Sequence, residues 1–384
     1  MKKFLALILA LVMSLSLVAC GGSKAEEKPA EQPAQEQPTE AEGADFSVAM
    51  ITDYGDITDQ SFNQTTYEAC KAYCDANGVD FNYYKPAGDS TAERVAMVEK
   101  AVDEGYTVIV MPGFAFAETI TEVADEYSDV TFVALDVSEG DLGDYTLPSN
   151  VYCAVYQEEL CGYMAGYAAV KLGYTHLGFL GGMAVPAVVR YGYGFVQGAD
   201  AAAAETGAAV TVEYAYGNQF YGDADITAYM DNWYQTLGVE VVFACGGGIY
   251  SSAAEAAAKV DGKVIGVDVD QAGIIDSGYG EGMTVTSAMK GLAPTVEHML
   301  TEVAAGNFSN YGGKIETLGL VSGDDPEANY VQIPMESTQW SDSFTQDDYK
   351  ALVKDMFDGK ITVSNDISAM PSTSITVNEY GNIK

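Results

Sequence analysis

Basic side chains are scarce in this 384-residue chain: 18 lysines and arginines stand against 56 aspartates and glutamates, a formal charge of −38. A chain so charged is repelled by phosphate backbones and gains nothing from counterion release, which excludes nucleic acid as a partner. Histidine is rarer still. Only His176 and His298 occur, far apart and outside any ligand-spaced cluster, so neither a metal nor another cofactor is expected. The motifs of common enzyme chemistry are missing too: there is no HExxH, no GxSxG and no P-loop, and ACGGGIYSS lacks the lysine that would neutralise a phosphate. GYGFVQG, with Gly192, Gly194 and Gly198, departs from the dinucleotide fingerprint and falls inside a helical stretch, where it reads as helix packing. These absences point to a binding protein, not an enzyme.

The one strongly apolar run, Phe4 to Val18, is shorter than the ~20 residues a bilayer span needs. Lys2 and Lys3 precede it and Leu17-Val18-Ala19-Cys20 closes it, an order that resembles a lipoprotein signal peptide over residues 1–19, with cleavage before Cys20 and acylation of that thiol. The lipid would hold the protein on the extracytoplasmic face of the cell membrane. Residues 20–44 are Glu, Gln, Pro and Ala with little apolar bulk, the composition of a disordered tether, whose reach as a flexible coil would be about 25 to 30 Å. Beyond Cys20, the five cysteines Cys70, Cys74, Cys153, Cys161 and Cys245 are odd in number, and Cys70 and Cys74 have the helical spacing that seldom suits a disulfide. Buried, reduced thiols are expected.

Past the tether, strand and helix patterns alternate. Strands are expected at 47–51, 79–83, 107–111 and 130–135, then again at 176–180, 210–215, 240–244 and 263–267. Helices are expected at 92–104, 115–127, 157–171, 185–205, 225–237 and 250–258, the first with Val95, Val98, Ala101 and Val102 on one face. Two successive βα series in a chain of this length imply an α/β protein of two doubly wound, Rossmann-like lobes facing each other across a cleft. The expected division is 45–155 plus about 288–320 for one lobe and 156–287 plus about 321–384 for the other. The strand runs end alike in both halves, in Asp53, Gly113, Asp136, Gly181, Gly246 to Gly248 and Asp268, where small or acidic residues give one polar crevice with close backbone access.

ITDYGDITDQSFNQ, Ile51 to Gln64, is the most informative of these ends. Asp53 places a carboxylate at the crevice, and the helix that follows presents Phe62 as a flat apolar wall and Asn63 as a donor and acceptor, a pairing suited to a planar heterocycle. Thr58, Asp59 and Ser61 are also ordinary helix caps, and Phe62 also suits a core. One enzyme reading remains as an alternative: a calcium ion held by Asp53, Asp56 and Asp59 would make the protein a nucleoside hydrolase.

With GFLGGMAVPAVVRYGYGFVQGAD (Gly178 to Asp200), VIGVDVDQ (Val264 to Gln271) and the SAMK that ends in Lys290, this segment resembles the basic membrane protein family of substrate-binding lipoproteins, which includes purine nucleoside receptors of ABC importers. The resemblance, from about Phe46 to at least His298, implies the type I periplasmic-binding-protein fold with hinge strands. It implies a nucleoside ligand, ABC permease subunits as partners, membrane attachment through the N-terminal lipid, and a monomer. The matching positions imply ligand contacts at Asp53, Phe62, Asn63, Asp136, Asp268 and Lys290: Phe62 stacking on the base, Asn63 and Asp136 reading its edge, Asp268 and Lys290 holding the ribose hydroxyls. Gly246 and Gly247 in the glycine loop and Phe220 as the second aromatic wall complete the set, with Tyr221 and Trp233 as alternatives to Phe220. Tyr250 follows the loop and would narrow the pocket, and another heterocycle such as riboflavin is the alternative ligand.

Overall fold

The computed structural model describes residues 46–383, so the signal peptide, Cys20 and the tether lie outside the described residues. The chain starts with β1 (Val48–Ile51), α1 (Phe62–Asn77), β2 (Phe81–Tyr84), α2 (Thr91–Asp103), β3 (Val108–Pro112), α3 (Phe116–Val123), β4 (Thr131–Leu135), α4 (Glu139–Leu142) and β5 (Val151–Tyr156). A second series follows: α5 (Glu158–Lys171), β6 (His176–Gly181), α6 (Pro186–Thr206), β7 (Thr211–Tyr216), α7 (Ala224–Asn232), β8 (Val241–Cys245), α8 (Tyr250–Ala257), β9 (Lys263–Asp268), α9 (Ala272–Tyr279) and β10 (Thr284–Lys290). The chain ends with α10 (Leu292–Ala304), β11 (Lys314–Leu318), β12 (Val331–Gln332), α11 (Gln346–Phe357) and β13 (Thr376–Asn382).

These strands make two sheets, ordered β11-β5-β4-β3-β1-β2 and β12-β10-β9-β8-β6-β7-β13. Every pairing is parallel except β10 with β12. The central strands are apolar on both faces because helices cover both, which is why β1, β3 and β8 are buried throughout. Within each sheet the first five strands of the series run 2-1-3-4-5, the doubly wound order whose switch point lies between the first and third strands. Two such lobes are the architecture the two βα series imply.

The chain crosses between sheets after β5, after β10 and after β11. The crossings are bonded to one another: the Gln157 N–H donates to the Leu318 carbonyl at 2.9 Å, Gly291 to Tyr330 at 2.7 Å and Tyr330 to Gly319 at 3.0 Å. They form a hinge of adjacent strands with little room between them, since a side chain on Gly319 would overlap Gln157 and one on Gly291 would overlap Tyr330.

Helix α5 is buried nearly all round, and α6 lies on it closely enough for backbones to touch. Gly162 and Gly166 on α5 face the carbonyls of Tyr191 and Phe195, and Gly194 and Gly198 on α6 face those of Glu159 and Tyr163; a Cβ at any of the four would stand 2.0 to 2.2 Å from that oxygen. The glycines of GYGFVQG at 194 and 198 are therefore packing devices, while Gly192 makes room for Tyr214 and Phe179.

Some expectations need correction. The helix expected to reach Tyr127 stops as an α-helix at Val123. The one expected over 225–237 changes at Trp233 into a π-helical turn, Trp233–Leu237, where the fully buried indole lodges against Gly178. Strands β5 and β10 to β13 carry no clear alternating pattern and were not among the expected strands. All five cysteines among the described residues are free and buried.

The α5–α6 contact is testable. Alanine in a helix is ordinarily worth up to about 1 kcal/mol over glycine, yet Gly166→Ala should lower the urea midpoint, because a methyl pressed on the Phe195 carbonyl carries an overpacking penalty of about 1 to 3 kcal/mol. Gly273→Ala, on α9 with open space around it, should leave the midpoint unchanged or raise it.

Candidate functional site

A cavity of about 530 Å3 lies between the lobes at the carboxyl ends of the strands, and Asp53, Phe62, Asn63, Asp136, Phe220, Gly246, Gly247, Asp268 and Lys290 all line it. It sits at both switch points at once. Asp53 follows β1 and Gly113 follows β3 in one lobe; Gly182 follows β6 and Gly246 follows β8 in the other. Gly113 and Gly246 share positive φ values of 125° and 148°, and a side chain at Gly113 would press on Asp53 while one at Gly246 would meet Phe220.

Asp136 and Asp268 repeat the correspondence. They end β4 and β9, equivalent strands, and both are left-handed, at φ 62° and 64°. Aspartate tolerates this region better than most residues, but two instances at matching strand ends mark backbone held for the direction it gives the carboxylate.

Between them lies a buried ion cluster. Lys290, at the end of β10, donates to Asp136 Oδ2 at 2.6 Å and Glu158 Oε1 at 3.4 Å and stands 3.9 Å from Asp268 Oδ1. Arg190 of α6 grips the other oxygen of Glu158 at 2.6 Å. Burial alone would pull the Lys290 ammonium down, but the carboxylates of Asp136, Glu158 and Asp268 outweigh it and push its pKa up. Burial pushes Asp136 and Asp268 above the ordinary carboxylate value, against the pull of Lys290. The same ammonium lies 4.7 Å from the centre of the Phe62 ring, a cation–π contact that fixes the ring.

At the mouth of the cleft, the loop before α1 is organised by its own carboxylates. Asp53 Oδ1 accepts the N–H groups of Tyr54 and Gly55 at 2.6 and 2.7 Å. Asp59 caps α1, Oδ1 accepting from Ser61 and Gln64 and Oδ2 from the Asn63 backbone and side chain. Asp56 instead pairs with Lys85 at 2.9 Å. With Asp53 and Asp59 spent on backbone N–H groups and Asp56 on a lysine, the three do not converge, and no carboxylate, histidine and cysteine cluster fit for a metal exists among the described residues. The calcium reading of this loop is set aside on that geometry.

The lobes also touch directly: the Ser61 hydroxyl donates to Asp268 Oδ2 at 2.6 Å and the Gln271 amide to the Gln60 carbonyl at 3.0 Å. Two buried acceptors on residues of the cavity wall lack a protein partner, Asn63 Oδ1 and Asp136 Oδ1.

Residues 46–354 match the Bmp family, described as ABC transporter substrate-binding protein PnrA-like. The chain belongs to this family. Its relatives include the CD4+ T-cell-stimulating antigen of Listeria innocua, 29% identical over 334 residues that span 82% of this chain and 87% of that one. The ABC transporter nucleoside-binding protein BmpA of Lactococcus lactis is 26% identical over 336 residues, 83% of this chain and 89% of its own. Among solved structures, an ABC transporter solute-binding protein from Aeropyrum pernix superposes with a TM-score of 0.64 at 21% identity, covering 84% of this chain and 88% of that one. The Bmp-family chain is thus an ABC transporter substrate-binding protein with the two-lobed fold of the periplasmic type.

The geometry sorts the aromatic candidates. Phe220 and the exposed Tyr221 line the cavity, whereas Trp233 does not and is fully buried in its lobe. The glycine loop is shaped by Phe220: Gly248 N–H donates to its carbonyl at 2.9 Å, and side chains on Gly246 or Gly247 would collide with it. Tyr250 and Tyr191 add to the wall, and the Tyr191 hydroxyl donates to Asp268 Oδ1 at 3.3 Å. Tyr191, Glu158, Arg190 and the role of Ser61 went unrecognised in the sequence. The available signals were the acidic pair that opens the otherwise apolar α5 and the single arginine in α6.

Removing the central cation should expose its importance. Lys290→Met leaves three buried carboxylates facing only Arg190, and loss of a buried ionic partner removes about 3 to 5 kcal/mol. The carboxyl groups of Asp136 and Asp268, already raised by burial, then rise further above their unfolded values, so the folded form binds protons more tightly than the unfolded one. Urea unfolding should therefore show a larger deficit for the variant at pH 7 than at pH 5.

Proposed function

We propose that this protein is the extracytoplasmic receptor of an ABC importer, anchored by a lipid on Cys20, that binds a nucleoside as a monomer and hands it to the permease subunits. The observation that carries this reading is the composition of the interlobe cleft: aromatic walls contributed by opposite lobes, Phe62 and Phe220, beside a polar pole of Asp136, Lys290 and Asp268. The cavity volume falls within the ~300 to 1,000 Å3 range of small-molecule sites. A base lies between the aromatic walls, and a purine, with two fused rings, fills more of that space than a pyrimidine.

The free acceptors give the polar roles. Asn63 Oδ1, and Asp136 Oδ1 left over after Lys290 takes Oδ2, accept from the edge of the base. Lys290 and Asp268 hold the ribose hydroxyls, a carboxylate having lone pairs enough to keep Ser61 and Tyr191 and still accept from a ligand. Because Asp136 and Asp268 belong to different sheets and Lys290 stands at the hinge between them, a ligand held by all three favours closed lobes. The relative named as a nucleoside-binding protein supports the same ligand class.

Titration calorimetry with adenosine, guanosine, inosine, uridine, cytidine and riboflavin is the test. At least one purine nucleoside should bind with micromolar or tighter affinity, and Phe62→Ala should weaken it by the ~1 to 3 kcal/mol of a lost base stack. Binding of riboflavin alone, or silence across the whole panel, would overturn the nucleoside assignment.

A further inference from the structure

We infer that the cleft is a charge filter, admitting neutral ligands and rejecting their phosphorylated forms, so that a phosphomonoester hydrolysis outside the membrane supplies the compound this receptor takes up. The inference rests on the nucleoside reading above and adds what the site refuses.

A protein holds phosphate with a free cation, with a helix N-terminus or with the N–H groups of a glycine loop. This cleft has a version of each, and its cations and the N-terminus of α1 are already spent. The cations among the described residues of the wall are Lys85 and Lys290. Lys85 is paired with Asp56, and Lys290 lies within 4 Å of three carboxylates. The N-terminus of α1 is occupied by the chain's own carboxylate, since Asp59 accepts the N–H groups of Ser61, Asn63 and Gln64 at 3.0 to 3.1 Å. Helix α6 opens on Pro186, which removes one N–H from its first turn, and no cationic side chain of that turn reaches the cavity. In the glycine loop, Gly248 N–H donates to the Phe220 carbonyl and Ile249 N–H to the Gly246 carbonyl, at 2.9 and 3.1 Å.

What remains facing the ligand is negative. Asp53, Asp56, Asp59, Asp136 and Asp268 line the cavity against the two lysines. Backbone N–H groups support the charged forms of Asp53 and Asp59 against the burial that raises their carboxyl groups. A doubly charged phosphate brought into this partly desolvated space meets like charge on both lobes, with no cation free to answer it.

The supplying step is balanced simply. Water attacks the phosphorus of a nucleoside monophosphate, the ester P–O bond breaks, the departing nucleoside oxygen takes a proton from the attacking water, and inorganic phosphate leaves. The net product is the neutral ligand.

Calorimetry with adenosine, AMP and 5′-deoxy-5′-methylthioadenosine, and with riboflavin beside its monophosphate, separates charge from size. AMP should bind about 100-fold more weakly than adenosine or not at all, while the neutral methylthio compound stays within about tenfold of adenosine and the gap to AMP narrows as salt is raised. Asp59→Asn, which keeps an oxygen for the helix cap, and Asp56→Asn, which releases Lys85, should each raise AMP affinity relative to adenosine. AMP binding within tenfold of adenosine, or rejection of the methylthio compound along with AMP, would overturn the filter and leave the nucleoside reading standing. Binding of the phosphorylated pair without the neutral pair would overturn both. Failure of every neutral ligand would end the nucleoside reading and, with it, the filter.

Discussion

The structure depends on the burial of Lys290. An ammonium out of water is tolerable only where carboxylates surround it, and those that do come from separate parts of the fold: Asp136 from the end of β4, Asp268 from the end of β9 and Glu158 from the start of α5. Glu158 and Lys290 itself adjoin chain crossings, so the cluster is built into the hinge. Gly291 follows Lys290 directly and Gln157 precedes Glu158, and both of those residues are bonded to the other crossing strands. Arg190 extends the cluster to α6, whose glycines bring it backbone to backbone with α5. Helix packing, hinge and cleft are therefore one mechanical unit. A ligand that competes for Asp136 or Asp268 acts on the same charges that connect the lobes.

The repetition of the lobes explains why the cleft has two similar sides. Each sheet has the same strand order, so each offers its switch point to the same space. Corresponding strand ends carry the same devices: a glycine with positive φ after the third strand, a left-handed aspartate after the fourth. What differs is the chain just beyond the first strand, Thr52 and Asp53 in one lobe and Gly182 in the other. The glycine leaves room for Phe220, which a side chain would displace. One lobe thus contributes a carboxylate-organised loop with Phe62 and Asn63, and the other a glycine-lined bed for an aromatic wall.

The α/β architecture and most central strands were legible because these segments are short apolar runs ending in glycine or aspartate, a local signal that tertiary packing reinforces. Strand β5, VYCAVY, is buried on both faces and shows no alternation, so nothing local separates it from a helix of the same composition. Strands β11 and β13 sit toward sheet edges, half exposed, and β12 has two residues; their pairing is decided by neighbours. The π-helical turn at Trp233 belongs to the same class, since its cause is the hole left by Gly178 on another element. Glu158 and Arg190 escaped notice because a buried ion pair looks, in sequence, like two surface charges.

By itself the sequence determined the inventory and its order: two βα series, acidic and small residues at strand ends, a flat ring and an amide at the head of a helix, and too few cations to serve an anionic partner. These are properties of local pattern and composition, which no distant contact can alter. Only the tertiary structure decided which charges meet. Lys290 lies 154 positions from Asp136 and 132 from Glu158, and the Ser61 hydroxyl closes on Asp268 across the cleft over 207 positions. Coulomb energy and desolvation depend on separation in space and on exclusion of water, and the folded chain alone sets both.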